Sequence, residues 1–198
     1  MGNTTFRGDG HKVPDAELVD RFLKGDEQAF SLIVLRYQNR LMYTAVSLVD
    51  NEDDAMDMVQ ETFVKAYFNL EGFRSEASLY TWLYRILYNL CISSIRRKKI
   101  LSFMSLNPGD EDIDFPSREA SPEQEYGRSE FREAVKRALK KLPDKQRMVF
   151  VMKQMDGLKH EEIARIMGIT EGAVKASYFH AVRKLRELLK QYRGEYEL

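Results

Sequence analysis

The sequence has little that could be cross-linked or held by a metal. Only one of its 198 residues is a cysteine, Cys91, so an intramolecular disulfide is excluded. Three histidines beside that cysteine are too few for a cysteine-rich zinc site. We therefore expect Cys91 to be a small buried apolar residue in a reducing compartment.

Long apolar segments are absent as well. No run of about 18 apolar residues occurs, so no segment is expected to enter a membrane. The start of the chain carries charge without an apolar run behind it, which is not the pattern of a signal peptide. A P-loop, a dinucleotide fingerprint and a nucleophile elbow are also missing. These absences predict a cytoplasmic protein with no cofactor, no metal and no catalytic cluster.

Proline is scarce, and its positions divide the chain. Three of the five prolines fall within residues 101–124, a stretch that is acidic and shows no helical period. Such a stretch predicts a linker between two packed domains. The predicted organisation is a disordered N-terminus at 1–14, a first domain at 15–100, an acidic linker at 101–128 and a second domain at 129–193.

Neither sign of charge dominates, because 31 basic and 31 acidic side chains cancel. The charges are nevertheless sorted along the chain. Residues 1–100 have a net charge of −1, residues 101–130 of −6 and residues 131–198 of +7. A basic C-terminal part behind an acidic connector favours contact with phosphates. Chance clustering of surface charges accounts for the same numbers equally well.

Strand signals are weak throughout, and both halves show helical periodicity, so the predicted fold is all-α. Asp15 is placed to cap a first helix, and Lys24-Gly25-Asp26 to end it and cap a second. A third helix is predicted over about 53–71 and a fourth over about 77–98. Four amphipathic helices with short connections indicate a four-helix N-terminal domain.

Residues 160–179 fit a helix-turn-helix. Ala164 is small where two helices cross, Gly168 stands where the turn needs a left-handed backbone, and Val174 packs back on the first helix. Thr170 is placed to cap the second helix. The remaining inward positions are assigned to Ile163, Met167 and Ile169. A chance αα-hairpin is the alternative.

The second of these helices is predicted from Glu171 to about Tyr192. A helix of this kind can enter a major groove, where its N-terminal residues read base edges. The side chains that we expect it to expose are Lys175, Tyr178, Phe179, His180, Arg183 and Lys184.

Three stretches carry a family resemblance. They are residues 54–67, beginning Asp54-Ala-Met-Asp; residues 73–86, beginning Phe73-Arg-Ser-Glu; and the stretch from Leu142-Pro143 through Gly157-Leu158 into the helix-turn-helix. In this order and spacing they resemble the extracytoplasmic-function (ECF) sigma factors of bacterial RNA polymerase, particularly the sigma-E type. The resemblance covers about residues 15–99 and 130–190. It implies a non-enzymatic subunit that directs promoter recognition, −10 melting and transcription initiation.

The resemblance assigns roles to residues of the third helix. In the family, this acidic helix binds the clamp helices of the largest polymerase subunit, and the flap is a further contact. The residues on the matching positions are Asp57, Gln60 and Glu61, which share one helix face at i, i+3, i+4 spacing. Without the resemblance, a solvated acidic face would explain them.

The loop after the third helix, together with the fourth helix, resembles the family's reader of the −10 element, which captures a flipped base of the single-stranded non-template strand. Asn89 is implied to contact the element through its amide. Tyr80, Trp82 and Tyr84 are expected to stack on exposed bases, although Trp82 also lies on the core side of the helix. The implied −10 contacts are Phe73, Arg74, Ser75, Ala77, Ser78, Tyr80, Trp82, Arg85, Asn89, Arg96 and Arg97.

The second domain is implied to read the −35 element. Lys175, Phe179 and His180 lie on family contact positions, whereas Ala176 and His180 depart from the Ser and Arg that sigma-E members often carry. An anti-sigma factor is an expected partner, since family members are commonly held inactive by one. The competing interpretations are a conventional dimeric helix-turn-helix regulator and a small all-α enzyme.

Overall fold

A computed structural model describes residues 13–49, 51–74, 77–104 and 122–192. Within these ranges the chain forms helices and turns but no strand, which confirms the all-α prediction. The chain divides into two compact units. The first contains α1 (Asp15–Leu23), α2 (Glu27–Leu48), α3 (Glu52–Asn69) and α4 (Leu79–Met104). The second contains α5 (Pro122–Lys140), α6 (Asp144–Gln154), α7 (His160–Met167) and α8 (Glu171–Leu188).

The first unit is a bundle whose core lies between α2, α3 and α4, with α1 packed on α2. Its inward side chains recur every three or four residues, as the periodicity predicts. Leu18, Ile33, Leu41, Leu83 and Leu87 are fully buried. Burial of each such side chain stabilises the fold by about 1.5–3 kcal/mol. Burial therefore fixes which faces of α3 and α4 remain outside.

Asp15 does not cap α1, contrary to the prediction. Pro14 occupies the capping position and makes no side-chain hydrogen bond to the helix. The Asp15 carboxylate instead accepts hydrogen bonds from the Arg36 guanidinium and the Tyr37 hydroxyl of α2. A guanidinium forms a stronger, charge-assisted hydrogen bond than a backbone amide does, so Asp15 joins α1 to α2. Burial, together with the adjacent carboxylate, raises the pKa of Tyr37.

The predicted boundary between the first two helices is confirmed. Gly25 has a φ of 95°, a left-handed conformation that glycine adopts without strain. Asp26 caps α2 by accepting a hydrogen bond from the Gln28 amide at 3.1 Å. Its carboxylate also accepts from Arg21, which lowers the pKa of Asp26.

Both helices next to the predicted linker are longer than the periodicity indicated. α4 continues to Met104 and α5 begins at Pro122, so helix occupies both ends of the 101–128 segment. No glycine or proline interrupts the sequence between residues 79 and 107, so nothing there stops α4. The remaining linker positions, and the predicted disorder at the N-terminus before Val13, lie outside the described residues.

In the second unit, α8 packs against α5, α6 and α7. Met148, Met152, Ile163 and Val174 are fully buried where α6, α7 and α8 meet. A second apolar cluster joins α5 to the C-terminal half of α8 through Ala138, Leu139, Ala181, Leu185 and Leu189. This packing leaves the outer face of α8 uncovered by the rest of the unit.

The predictions made from the single cysteine and from the absence of long apolar segments can now be compared with the structure. Cys91 lies fully buried in α4, and burial raises the pKa of its thiol to about 12, so it is the inert apolar residue that was predicted. Across the described ranges, no helix combines the length and apolar character needed to cross a bilayer.

Candidate nucleic-acid and protein interfaces

The helix-turn-helix has the local geometry that the sequence predicted. Gly168 ends α7 with a φ of 65°, and the Thr170 hydroxyl caps α8 by accepting from the Ala173 amide at 3.2 Å. Val174 is fully buried against the preceding helix. Of the three residues predicted to fill the remaining inward positions, Ile163 is fully buried, whereas Met167 and Ile169 are half-buried. Ile166 is more deeply buried than these two, because it lies one turn from Ile163 on the same face.

Most of the predicted −35 contacts lie on the open face of α8. Lys175, Phe179 and His180 are exposed, and Phe179 keeps 62% of its surface accessible. Arg183 and Lys184 continue this exposed surface one turn further along the helix. A long exposed aromatic and basic surface of this kind can meet thymine methyl groups, base edges and phosphates.

Tyr178 is the exception among these residues. Its side chain is half-buried, with its ring nearly parallel to Phe150 at a centroid distance of 6.2 Å. Its hydroxyl is 3.1 Å from the Gln154 side-chain oxygen, to which it donates. The expectation that the Tyr178 side chain is exposed is therefore corrected, because its contacts to α6 bury it in part, and its assignment as a −35 contact stays a prediction.

The exposed face of α3 carries Asp57, Gln60 and Glu61 together. The opposite face is buried through Val59 and Phe63. Two apolar residues on the exposed face were missed by the sequence analysis. Val64 and Phe68 continue the same helical stripe and are 49% and 76% exposed. The spacing 57, 60, 61, 64, 68 is the signal that would have found them.

The loop before α4 places the predicted −10 residues in different environments. Phe73 is half-buried, and its ring centroid lies 5.5 Å from that of Trp82. Arg74 is exposed and Ala77 is half-buried, whereas Ser75 lies outside the described residues. The Ser78 hydroxyl accepts from the Thr81 amide at 3.0 Å, so it caps the start of α4.

Tyr80 and Tyr84 do not lie where stacking on bases requires. Tyr80 is 6% exposed and Tyr84 is fully buried. The Tyr80 ring packs against Tyr37 and Tyr84, and the Arg40 guanidinium lies 3.8 Å from its centroid. The stacking expectation for these two residues is therefore corrected. Their helical positions face α2, so their rings fill the bundle instead of facing nucleic acid.

A groove lies between α3 and α4 on the side of the bundle that carries Trp82. Its volume is about 360 Å³, and Trp82 and Asn89 both line it. The Asn89 side chain is exposed. Lys65 and Asn69 of α3 line the same groove, and neither was predicted from the sequence. The Asn69 amide donates to the Lys65 carbonyl at 2.8 Å, and the Lys65 ammonium is paired with Glu61 at 3.0 Å. The Trp82 ring and the Asn89 amide, with this lysine beside them, suit a base and its phosphate.

The cations of α4 extend from this groove. Arg85, Arg96 and Arg97 are exposed and therefore available to phosphates. Lys98 differs from them, because its ammonium forms an ion pair with Asp54 at the start of α3. Lys98 therefore joins the two helices in this structure.

Comparisons with known proteins identify the family of this chain. The Sigma-70 region 2 family model matches residues 33–100, and the Sigma-70 region 4 model matches residues 132–185. The chain is 36% identical over 181 residues to the ECF RNA polymerase sigma-E factor of Escherichia coli strain K12, covering 86% of this chain and 91% of that protein. It is 32% identical over 187 residues to the RNA polymerase sigma-H factor of Pseudomonas aeruginosa, covering 89% and 94%.

A solved structure shares the arrangement of helices. The sigma factor RpoE of Bartonella quintana, solved with the anti-sigma factor NepR, matches with a TM-score of 0.70 and 28% identity over 83% of this chain and 98% of that one. A dimeric regulator is not favoured, because such a protein would leave the region 2 match unexplained. The chain belongs to the ECF sigma factors, non-enzymatic subunits that bind bacterial RNA polymerase and direct promoter recognition.

Proposed function

We propose that this sigma factor docks on core polymerase through the exposed face of α3, reads the −10 element in the groove between α3 and α4, and reads the −35 element with α8. The observation that carries the proposal is the amphipathic division of α3. One face is buried through Val59 and Phe63, while Asp57, Gln60 and Glu61 lie together on the other.

The docking face combines charge with exposed apolar surface. Asp57 and Glu61 are acidic, and Val64 and Phe68 extend the same stripe toward the end of α3. Interfaces of this kind place apolar anchors beside a polar rim. We therefore include Val64 and Phe68 in the polymerase-binding surface. The partner face that fits is a basic helical surface with an apolar stripe.

The −10 element is read as a single strand in this proposal. Asn89 is available to a base edge, and Trp82 offers a half-buried ring in the same groove. Stacking of one base contributes about 1–3 kcal/mol. Separation of duplex DNA costs about 1.4 kcal/mol per step, and a transcription bubble spans many steps. The protein therefore nucleates melting only when it is bound to the polymerase, which supplies the remaining contacts and the nucleotidyl chemistry.

Two further assignments follow from the relatives. The solved structures that this chain resembles include RpoE with the anti-sigma factor NepR and CnrH with the cytosolic domain of CnrY, the latter at 26% identity and a TM-score of 0.67. We extend this kind of partner to the present chain. We also place the protein in the cytoplasm, because the polymerase that it serves is there.

The experiment is co-purification of the full chain with core polymerase, followed by transcription from a genomic promoter library. The Gln60→Ala, Glu61→Ala double variant should lose co-purification, because it removes two polar groups from the centre of the docking face. The matched control is Glu27→Ala, Gln28→Ala, which removes the same residue types from an exposed position on α2. An unchanged yield of the first variant, or no new start sites with the wild-type chain, refutes the proposal.

A further inference from the structure

The start of α8 carries an ion pair between Glu171 and Lys175. Lys175 is one of the assigned −35 contacts, whereas Glu171 has no assigned role. The Lys175 ammonium lies 2.7 Å from a carboxylate oxygen of Glu171, one helical turn earlier. The two side chains are 59% and 49% exposed. Exposed pairs at i,i+4 spacing contribute little to stability. The pair is therefore available to a ligand without loss of the fold.

The surroundings of this pair leave it free to reach outward. Gly172, Ala173 and Ala176 flank it, and all three are small and exposed. A Cβ atom at Gly172 would meet nothing within 4 Å, so the space above the first turn is open. Glu171 and Lys175 are therefore longer than the three residues that flank them, and both are exposed. N-terminal residues of a recognition helix are those that meet base edges in the major groove.

The pair presents one acceptor beside one donor. Lys175 lowers the pKa of Glu171, chiefly through their hydrogen bond, so the carboxylate is an acceptor at neutral pH. The ammonium of Lys175 has three protons, of which the carboxylate engages one. Two donors remain for other acceptors. The Glu171 carboxylate and the Lys175 ammonium are together complementary to a hydrogen-bond donor that lies next to two hydrogen-bond acceptors.

A C·G base pair has that arrangement in the major groove. Cytosine N4 donates to guanine O6 within the pair at about 2.9 Å, close to the separation of the two charged groups. Guanine N7, a second acceptor, lies beside O6. An A·T pair also places a donor beside an acceptor, but adenine N7 would face the carboxylate and the thymine methyl group would face the ammonium. Both contacts therefore favour C·G.

We propose that Glu171 and Lys175 together read one C·G base pair of the −35 element, with Glu171 accepting from cytosine N4 and Lys175 donating to guanine O6 and N7. The inference rests on the proposed −35 role of α8. It makes Glu171 a residue that determines specificity, although its charge opposes binding to phosphates.

The test uses holoenzyme assembled from core polymerase and the full chain, with a promoter library randomised across the −35 element. The wild-type holoenzyme should prefer C·G at one position by about tenfold. Glu171→Ala should lose that preference, and Glu171→Gln should move it toward A·T, since an amide pairs with adenine N6 and N7. Glu187→Ala, which removes the same charge from an exposed position further along α8, should keep it.

Three results would overturn the inference. They are the absence of a C·G preference in the wild-type holoenzyme, an unchanged preference in Glu171→Ala, and a uniform gain in affinity for all sequences in that variant. The last result would mean that Glu171 acts only by repelling phosphates. If the wild-type holoenzyme binds no promoter at all, the proposed function fails instead, so the two failures are distinguishable.

Discussion

At the scale of single residues, the positions with special backbone geometry were readable from the sequence. Gly168 is an example, because a turn between two crossing helices needs a left-handed residue and glycine adopts that conformation at low cost. Its φ of 65° agrees with that reasoning. A Cβ atom at this position would meet nothing within 4 Å, so only the backbone requires glycine.

Gly168→Ala should therefore destabilise the helix-turn-helix by about 1–2 kcal/mol, which is the cost of a left-handed conformation for an L-residue. Gly168→Asn should cost less, since asparagine tolerates this conformation better. Urea unfolding followed by circular dichroism measures both changes. Gly172→Ala is the control, because Gly172 is helical in α8 and its substitution should leave stability unchanged or raise it by up to ~1 kcal/mol. Equal destabilisation by all three variants would contradict the argument.

At the scale of helices, pairing decides which side chains meet. α3 and α4 together form the groove that contains Lys65, Asn69, Trp82 and Asn89. Neither helix would provide the recess alone. The same pairing buries Leu83 and Leu87 in the bundle, so the groove lies on a rigid support. A rigid support suits the role that we propose for the groove, which is to hold a flipped base in one orientation.

Asn89→Ala should weaken promoter opening by the holoenzyme about tenfold, because it removes an amide that can form two hydrogen bonds with a base. Its co-purification with core polymerase should be unchanged, since α3 is untouched. Permanganate reactivity of thymines in the −10 element measures opening. Asn39→Ala, which removes the same amide from an exposed position on α2, should open promoters normally. Normal opening by Asn89→Ala would show that the groove does not read the element.

At the scale of the whole molecule, charge is balanced overall but sorted along the sequence. The net charge is zero, although residues 131–198 carry a net charge of +7. A neutral molecule gains little long-range attraction to DNA, so its basic segment needs a partner that brings DNA close. This distribution suits a subunit that acts within a larger enzyme.

The isolated chain should therefore form no stable complex with duplex promoter DNA at physiological salt, whereas the holoenzyme should bind.

The affinity of the holoenzyme for a −35 duplex should depend on salt. If α8 makes about three phosphate contacts, these contacts should contribute a slope of ~−2.7 to the plot of log affinity against log salt concentration. The Arg183→Gln, Lys184→Gln variant should reduce the magnitude of the slope by about 1.8 if both residues contact phosphates. Fluorescence anisotropy of labelled DNA across a salt series measures the slope for both proteins. Tight binding of a dimer of the isolated chain to palindromic duplex would support a conventional regulator instead.

The sequence by itself determined the helical class, the cap at Asp26 and the helix-turn-helix with Gly168, Thr170 and Val174. These features depend on neighbours within a few residues, and short-range periodicity and capping chemistry specify them. The sequence also carried the family resemblance, because the motifs lie in a fixed order along the chain.

Only the tertiary structure decided the partners of residues that lie far apart in sequence. It placed Asp15 against Arg36 and Tyr37, turned Tyr80 and Tyr84 into the bundle, and joined Tyr178 to Gln154. A polar or aromatic side chain has several acceptable environments, and local pattern does not choose between them. Packing against another helix makes that choice, because burial of a polar atom is costly without a hydrogen bond and a close-packed core accepts only rings that fit.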